Sequence, residues 1–236
     1  MKEFSLAAPP PWVKVNGGLA PDCRLLLAPA TVAAGAKGKF KLSVQSKGGT
    51  RLYKGVQISL ANLSGNLSIS LGGDHHQIEF GEGCTGHYDL RLWRKSSVRI
   101  GRDTTANGVR IICDHSDVEV GEDSMFSDEI LLQSADQHPI IDLKTGSVIN
   151  NQHRRMVLAE HVWVGRGATV MPDVSIGRGA IIGTGALVTR SVPATSVAVG
   201  VPAKVVRSDT TWSRQFGKMD AQAQDLLDSY QDQPDT

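Results

Sequence analysis

The stretch that decides the fold is residues 158–188, LAEHVWVGRGATVMPDVSIGRGAIIGTGALV, in which an aliphatic residue returns at every sixth position. These positions are Leu158, Val164, Val170, Ile176, Ile182 and Val188. Glycine directly follows three of them, at Gly165, Gly177 and Gly183, and we expect it to accept the backbone of a turn. Small residues recur near the expected corners, at Ala168, Ala180 and Ala186. This spacing is typical of a parallel β-helix, in which three hexads close one triangular coil.

A second register, with a spacing of twenty residues, lies upstream. Its members share the form aliphatic-x-apolar-small and begin at Ile58, Ile78, Val98 and Val118. Each interval fits one coil with two additional residues at a corner. Because coils of a solenoid bury their inward residues only against neighbouring coils, the two registers predict one continuous β-helix rather than two domains.

The sequence divides into three parts. Residues 1–55 lack the repeat and are expected to form an N-terminal capping segment, because an open β-helix end exposes unpaired strand edges. The repeat occupies residues 56–198, with a loop insertion at 133–157. Residues 199–236 form a C-terminal segment, in which apolar residues at helical spacing over 219–230 predict a short helix.

Composition and charge exclude several partners. The formal net charge is +1, from 25 basic and 24 acidic residues, so no attraction to nucleic acid or to an anionic membrane is expected. No apolar run is long enough to span a bilayer, and no transmembrane segment is predicted. Cys23, Cys84 and Cys113 are odd in number and far apart, which favours reduced thiols in a cytoplasmic compartment over a disulfide framework.

The sixfold pattern fails once, between residues 133 and 157, and a loop of this length leaving a regular scaffold is usually functional. His138 within it is the candidate catalytic residue, because a neutral imidazole accepts a proton near neutral pH. Asp136 or Asp142 is the candidate to orient the ring and to stabilise the imidazolium. Aspartate–histidine runs also occur at 74–76 and 114–115, but coil corners place polar residues outward, and no metal is predicted.

Four blocks of this sequence resemble the hexapeptide-repeat acyltransferases. They are SADQHPIID at 134–142, HVWVG at 161–165, IIGTGALVTRSVP at 181–193 and GVPAKVVR at 200–207. The likeness is greatest to sugar and polysaccharide O-acetyltransferases of the maltose, galactoside and capsule or O-antigen types. It implies an all-β fold, a left-handed parallel β-helix, together with a homotrimer and acetyl-CoA as acyl-donor cosubstrate in a groove between protomers.

The same resemblance implies roles for individual residues. His138 is expected to be a general base that deprotonates the acceptor hydroxyl for direct attack on the thioester, without an acyl-enzyme. The expected coenzyme-binding residues are Trp163, Arg166, Thr184, Thr189, Arg190, Lys204 and Arg207. The cations at 204 and 207 would bind the phosphates of CoA. Trp163 either flanks the acyl groove or packs at the trimer interface.

One departure from the family pattern narrows the range of acceptors that we expect. Galactoside-type members have a longer His-Pro-x-Asp-x-x-x-Arg signature, and here that arginine spacing is missing after Pro139. The expected activity is therefore O-acetylation of a sugar hydroxyl in a capsular or O-antigen-type polysaccharide or its precursor. Two alternatives stay open. One is an N-acetyltransferase of an aminosugar nucleotide or an antibiotic acetyltransferase, and the other is a non-catalytic β-helix scaffold or a carbonic-anhydrase-like metal protein.

Overall fold

The computed structural model describes residues 1–231, which form short strands and two helices. Residues 232–236 of the predicted C-terminal segment lie outside the described residues. The helices are α1 (Pro29–Ala36) and α2 (Ala221–Gln231). The strands are β1 (Lys2–Ser5), β2 (Val13–Asn16), β3 (Arg24–Leu27), β4 (Phe40–Ser46), β5 (Gln57–Leu60), β6 (Leu63–Leu71), β7 (Gln77–Phe80), β8 (Cys84–Leu92), β9 (Ser97–Ile100), β10 (Thr105–Cys113), β11 (Ser116–Val120), β12 (Met125–Phe126), β13 (Ile130–Gln133), β14 (Arg154–Leu158), β15 (Trp163–Val164), β16 (Thr169–Val170), β17 (Ser175–Ile176), β18 (Ile181–Ile182), β19 (Leu187–Val188), β20 (Val197–Val199) and β21 (Lys204–Arg207).

Two sheets wind around one core. The first has eight strands in the order β1-β3-β5-β7-β9-β11-β14-β17, and the second begins β2-β4-β6-β8-β10. At β10 the second sheet divides, because β12 pairs with Thr105 and Ala106 whereas β13 pairs with residues 109–112. From there on, each coil has three separate faces. The predicted parallel β-helix is confirmed.

The hexad residues form the downstream core. All six predicted inward aliphatic residues are at most 1% exposed, and the three alanines near the corners are equally buried. Leu158 pairs with Ile176, and Val164 with Ile182, so one downstream coil contains eighteen residues. Each buried aliphatic side chain contributes about 1.5–3 kcal/mol, but only while the neighbouring coil covers it.

The glycines that follow the hexad aliphatics differ from the expectation. Gly165, Gly177 and Gly183 do not have positive φ; a Cβ at Gly165 or Gly177 would instead press against backbone atoms of the next coil. The positive φ values occur two residues later, at Gly167, Gly179 and Gly185. At Gly165 and Gly177, close stacking of coils, rather than the turn conformation, therefore requires glycine.

The upstream coils are built differently. Ile58, Ile78, Val98 and Val118 are partners on successive strands, which confirms the register of twenty residues. The nine-residue strands β6 and β8 run around a corner and bend at Gly65 and Gly86, where φ is 100° and 120°. A Cβ at Gly86 would overlap the carbonyl oxygen of Ala106 on the next strand. Only glycine fits these bends.

Residues 1–55 lie at the N-terminal end of both sheets. Strand β1 is antiparallel to β3 and ends the first sheet, while β2 ends the second. Helix α1 packs against β4 and β6, and Trp12 meets Phe40 edge-on with ring centroids 5.8 Å apart. Strands β2–β4 are also parallel strands of the two sheets, so the segment covers the later coils and continues their hydrogen bonding.

The C-terminal segment leaves the β-helix after β21. Helix α2 begins at Ala221, two residues later than predicted, because the Asp220 carboxylate accepts a hydrogen bond from the Ala223 N–H at 2.9 Å as an N-cap. The predicted short terminal helix is confirmed. Across residues 1–231, neither helix has the length and apolar character needed to cross a membrane.

Candidate functional site

The loop between β13 and β14 projects from the β-helix as a small hairpin arm, residues 139–150. Ile141 and Val148 form an antiparallel bridge, and the Ile149 N–H donates to the Ile140 carbonyl at 2.9 Å. At its tip, one Asp142 carboxylate oxygen accepts from the N–H groups of Lys144 and Thr145, at 2.7 and 3.1 Å. The carboxylate of Asp142 therefore stabilises the turn of the arm.

His138 stands where this arm leaves the β-helix. It is exposed and lines a cleft of about 500 Å³ together with Trp93, Arg94 and Asp114. Its carbonyl oxygen accepts a hydrogen bond from the Asn150 side chain at 2.9 Å, which fixes the backbone at the base of the arm. Within residues 1–231 no hydrogen bond engages the imidazole, so the ring is free to meet a substrate in the cleft.

Asp136 fixes the root of the same loop. Its Oδ2 accepts from Arg154 Nη2 at 3.1 Å and from Asn150 Nδ2 at 3.3 Å. The Arg154 guanidinium, whose side chain is only 14% exposed, also pairs with Asp173 on the following coil. Among the described residues, no hydrogen bond joins the His138 ring to Asp136 or to Asp142. Both carboxylates thus hold the loop in place rather than the imidazole.

The aspartates of the two aspartate–histidine corners are engaged in ion pairs. Asp114 accepts from Arg94 Nε at 2.6 Å on the wall of the His138 cleft, and Asp74 pairs with Arg51 at 2.5 Å. His76, beside Asp74, is fully buried, and this burial lowers the pKa of its imidazole to about 4. In the part of the chain that the structure describes, no three His, Cys, Asp or Glu side chains are grouped as metal ligands.

Trp163 lies on β15, in register with Ile181 on the next coil. Its side chain is half-buried, and its indole N–H is buried with no hydrogen-bond acceptor among residues 1–231. The ring of Trp212, from the C-terminal segment, lies 6.2 Å away at a tilt of 50°. A buried donor without an acceptor costs free energy, and only the part of the Trp163 ring that stays exposed is open to contact with a ligand.

A buried polar cluster next to Trp163 joins the C-terminal segment to the coils. His161 Nδ1 lies 2.6 Å from Asp123 Oδ2, and His161 Nε2 lies 2.9 Å from the Trp212 carbonyl oxygen. Both partners only accept hydrogen bonds, so this geometry is fully satisfied when both ring nitrogens carry hydrogen. The rings of His161 and Trp212 stack at 4.2 Å, and the Trp212 indole N–H donates back to the His161 carbonyl.

Arg214 completes this cluster from the same segment. Its guanidinium donates to Asp123 Oδ1 at 2.6 Å, to Thr105 Oγ1 at 2.9 Å and to the Ser124 carbonyl at 3.0 Å. Burial acts to raise the pKa of Asp123, but hydrogen bonds from His161 and Arg214 outweigh it and lower that pKa below its usual value. We call His161, Asp123, Trp212 and Arg214 the C-terminal clamp. The sequence did not predict it.

Two of the expected coenzyme-binding residues occupy one corner of successive coils. The Gly185 N–H donates to the Arg166 carbonyl at 2.8 Å, which places Thr184 and Arg166 on neighbouring coils. Both side chains are exposed. The Arg166 guanidinium already pairs with Asp128 at 2.6 Å, and this hydrogen bond lowers the pKa of Asp128. Thr184 is thus open to a ligand, whereas Arg166 shares its charge with a carboxylate.

The remaining expected coenzyme-binding residues gather at the C-terminal end of the coils. Strand β21 folds back antiparallel on β20, pairing Lys204 with Val199 and Arg207 with Val197. The Ala203 N–H donates to the Leu187 carbonyl at 2.8 Å, which brings this hairpin beside Thr189 and Arg190. All four side chains are exposed. Within residues 1–231 the three cations among them, Arg190, Lys204 and Arg207, make no ion pair.

Known proteins resemble this chain both in its hexapeptide repeats and in its overall fold. The family model described as bacterial transferase hexapeptide (six repeats) matches residues 155–190. A crystal structure of the polySia-specific acetyltransferase NeuO aligns with a TM-score of 0.72 at 25% identity, covering 92% of this chain and 94% of that chain. The polysialic acid O-acetyltransferase OatWY aligns with a TM-score of 0.66 at 19% identity, covering 92% and 98%, and this second likeness shows the fold alone.

Curated relatives carry related names. A polysialic acid O-acetyltransferase of Escherichia coli O1:K1 / APEC is 33% identical over 127 residues, which are 53% of this chain and 41% of the relative. A putative lipopolysaccharide biosynthesis O-acetyl transferase, WbbJ, of Escherichia coli strain K12 is 32% identical over 111 residues, 47% of this chain and 50% of the relative. The chain spans about half the length of the curated relatives it matches.

The hexapeptide repeats matched over residues 155–190 and the stack of coils define a parallel β-helix. The predicted resemblance to the hexapeptide-repeat acyltransferases is confirmed by the matched repeats and by the relatives named as O-acetyltransferases. The predicted residue roles are not tested by these likenesses.

Proposed function

We propose that this chain is an acetyl-CoA-dependent O-acetyltransferase that modifies a sugar hydroxyl of a capsular or O-antigen-type polysaccharide or its precursor. The observation that carries the proposal is the free imidazole of His138 in a cleft at the base of the arm, on a β-helix like those of named polysaccharide O-acetyltransferases. Acidic glycans are favoured, because two of these relatives are named for polysialic acid.

The chemistry needs one base and no nucleophilic residue. His138 accepts the proton of the acceptor hydroxyl as its oxygen bonds to the acetyl carbonyl carbon. The carbon–sulfur bond then breaks, the acetyl ester stays on the sugar, and the departing thiolate takes the proton from the His138 imidazolium to give free CoA. Both substrates must be bound together for this transfer, so positioning supplies much of the rate enhancement.

The coenzyme site is proposed at the C-terminal end of the coils. CoA is a polyanion, and the unpaired cations Arg190, Lys204 and Arg207 provide charge-assisted donors for its phosphates. Thr184 and Thr189 expose hydroxyl and backbone groups beside them. Trp163 is half-buried on β15, so part of its ring surface is open for packing against the thioester end.

A homotrimer is part of the proposal. The arm exposes five aliphatic side chains, from 46% to 95% exposed, at Ile140, Ile141, Leu143, Val148 and Ile149. Such a cluster on a projecting hairpin is typical of a protein–protein contact. The resemblance to the family implies that acetyl-CoA lies in a groove between protomers, which a homotrimer would provide. Three buried, free cysteines support the further expectation of a reducing, cytoplasmic location.

The decisive experiment combines a calorimetric titration of acetyl-CoA with a thiol-release assay. The acceptor panel contains acidic and neutral bacterial oligosaccharides, free sugars, sugar nucleotides and aminosugars. We expect saturable binding of acetyl-CoA, and release of CoA with an acidic oligosaccharide. Release with an amino group as acceptor would replace O-acetylation by N-acetylation, whereas no binding at high micromolar acetyl-CoA would overturn the proposal.

A further inference from the structure

A second depression lies outside the site described so far, across the outer faces of β2, β4, β6, β8, β10 and β13. We call it the axial groove, and its volume is about 900 Å³. It is lined by residues 12, 14, 41–43, 66–68, 87–89, 108–110 and 129–131. Since neighbouring strands lie about 4.8 Å apart, six strands span about 24 Å. A groove of this length suits an extended oligomer better than a single sugar.

The axial groove follows the line along which the upstream strands bend. Its residues come directly after Gly65 and Gly86, where the chain turns the corner without leaving the sheet. Because the strands pair in register, outward side chains form a row along the groove. The row contains Ser43, Ser68, Asp89 and Arg110, each paired with the next. A ligand lying along the groove would meet one polar group per coil.

Charge is unevenly distributed along the groove. Lys14 and Lys41, at its N-terminal end, are exposed and make no ion pair within residues 1–231. In the middle, Asp89 is neutralised by Arg110 at 2.7 Å and by Arg91 at 3.1 Å. Glu129 lies at the opposite end. The N-terminal end therefore presents positive charge that the protein itself does not compensate.

Trp12 stands beside these two lysines. Its ring is half-buried and held edge-on against Phe40, and the backbone of α1 at Gly35 packs so closely on it that no Cβ would fit. The indole is therefore fixed before any ligand arrives. A rigid aromatic surface next to cations suits a sugar that has an apolar C–H face and a carboxylate.

The His138 cleft begins directly after the ends of three strands that cross the axial groove, β6, β8 and β10. Gly72, Trp93 and Asp114 line the cleft, and each comes four residues after a member of the groove's row, at Ser68, Asp89 and Arg110. At about 3.3 Å per residue, the two sites are about 13 Å apart along the outer face. One extended ligand can reach from one to the other.

We infer that the axial groove binds a distal segment of an extended, carboxylate-bearing glycan acceptor, with Lys14 and Lys41 pairing its carboxylates and Trp12 contacting a sugar ring. This inference rests on the proposed function, because it names the acceptor site of the same reaction. It makes the acceptor's length and charge the property that the enzyme selects.

The test uses the full chain with both lysines neutralised, Lys14→Gln/Lys41→Gln, and a matched control, Lys54→Gln/Lys218→Gln, which removes two exposed charges elsewhere. Binding of short and long oligomers of sialic acid is measured by calorimetry, and acetyl transfer to the same oligomers is measured in parallel. The Kd of the long oligomer should rise about five- to tenfold in the groove variant only, and the difference should shrink at high salt. Long oligomers with carboxylates reduced to alcohols should bind both proteins equally weakly.

The outcomes separate this inference from the proposed function. Equal binding of the long oligomer by the groove variant and the control would overturn the groove assignment while leaving acetyl transfer intact. Binding that weakens in the groove variant, without transfer in any protein, would support the groove and count against the reaction. The assembly state of the wild type and of the groove variant is compared by sedimentation. If the protein assembly of the wild type is lost in the groove variant, the groove is a contact between copies of the chain, and the inference is overturned.

Discussion

The upstream and downstream coils belong to one β-helix but differ in coil length, strand length and the structure of their corners. Between residues 163 and 188, eighteen residues make a coil from three two-residue strands and three tight corners, and at Gly165 and Gly177 the backbone packs directly against the backbone of the next coil. Upstream, twenty residues make a coil in which one nine-residue strand bends around a corner. The downstream coils, the regular half, contain the repeat motifs that are visible in the sequence and the proposed coenzyme site. The irregular half carries the grooved outer face, where an acceptor can be selected.

The largest effect is expected at the junction of the two halves, where His138 stands. Replacement by alanine should lower acetyl transfer by about two to four orders of magnitude, since the base is lost. The Kd of acetyl-CoA should change little, because the unpaired cations lie at the other end of the coils. Steady-state kinetics and calorimetry measure the two quantities. His75→Asn is the matched control, since asparagine tolerates the positive φ of 59° at that exposed corner. Near-normal turnover by His138→Ala would remove this residue from the role of base.

A second experiment compares the cost in stability of an alanine at an upstream strand bend, Gly86, with the cost of an alanine at a downstream corner, Gly185. Gly86→Ala should lower the free energy of unfolding by about 3 kcal/mol or more, because the new Cβ meets the Ala106 carbonyl and the residue has a φ of 120°. Gly185→Ala should cost only about 1 kcal/mol, because its positive φ is strained but the space around it is open. Denaturant titration of both variants gives the difference. Equal costs would mean that the upstream bend is not tightly packed.

A third experiment concerns the regular half alone. Lys204→Ala/Arg207→Ala should raise the Kd of acetyl-CoA by about tenfold, because two charge-assisted contacts to phosphate are lost. Turnover at saturating acetyl-CoA should fall much less. Calorimetry at two salt concentrations measures the loss, and Lys54→Ala/Lys218→Ala, which removes two exposed charges elsewhere, controls for the change in net charge. An unchanged Kd would place the phosphates elsewhere on the protein.

The smallest effect is a dependence of stability on pH through the C-terminal clamp. The pKa of Asp123 is lowered in the folded chain, so its ionised form contributes stability that is present above its unfolded pKa, near 4, and is lost as pH falls through the folded value. Thermal melts of the wild type should therefore fall more steeply below about pH 4 than melts of Asp123→Asn. Parallel curves for the two proteins would contradict the contribution of this carboxylate.

The sequence patterns predicted the β-helix, but they predicted only part of the candidate site. Inward residues such as Val164 and Ile182 repeat locally, so a single stretch reveals them. Asp142 has the carboxylate that a catalytic partner of histidine needs, but in the structure this carboxylate stabilises the turn of the arm. The spacing of Asp142 and Gly146 in DLKTG was the available sequence signal for that turn. The clamp left no local pattern, because Arg214 and Asp123 are 91 positions apart.

That separation sets an order of events during synthesis. A solenoid can close its coils one after another as the chain emerges, since each coil needs only its predecessor. Asp123 and Thr105 must wait until residue 214 has been made, because Arg214 supplies their hydrogen bonds from the far end of the chain. Until then the outer surface around His161 stays uncovered by Trp212. Residues 212 and 214 thus complete a part of the protein whose coils are translated about 90 residues earlier.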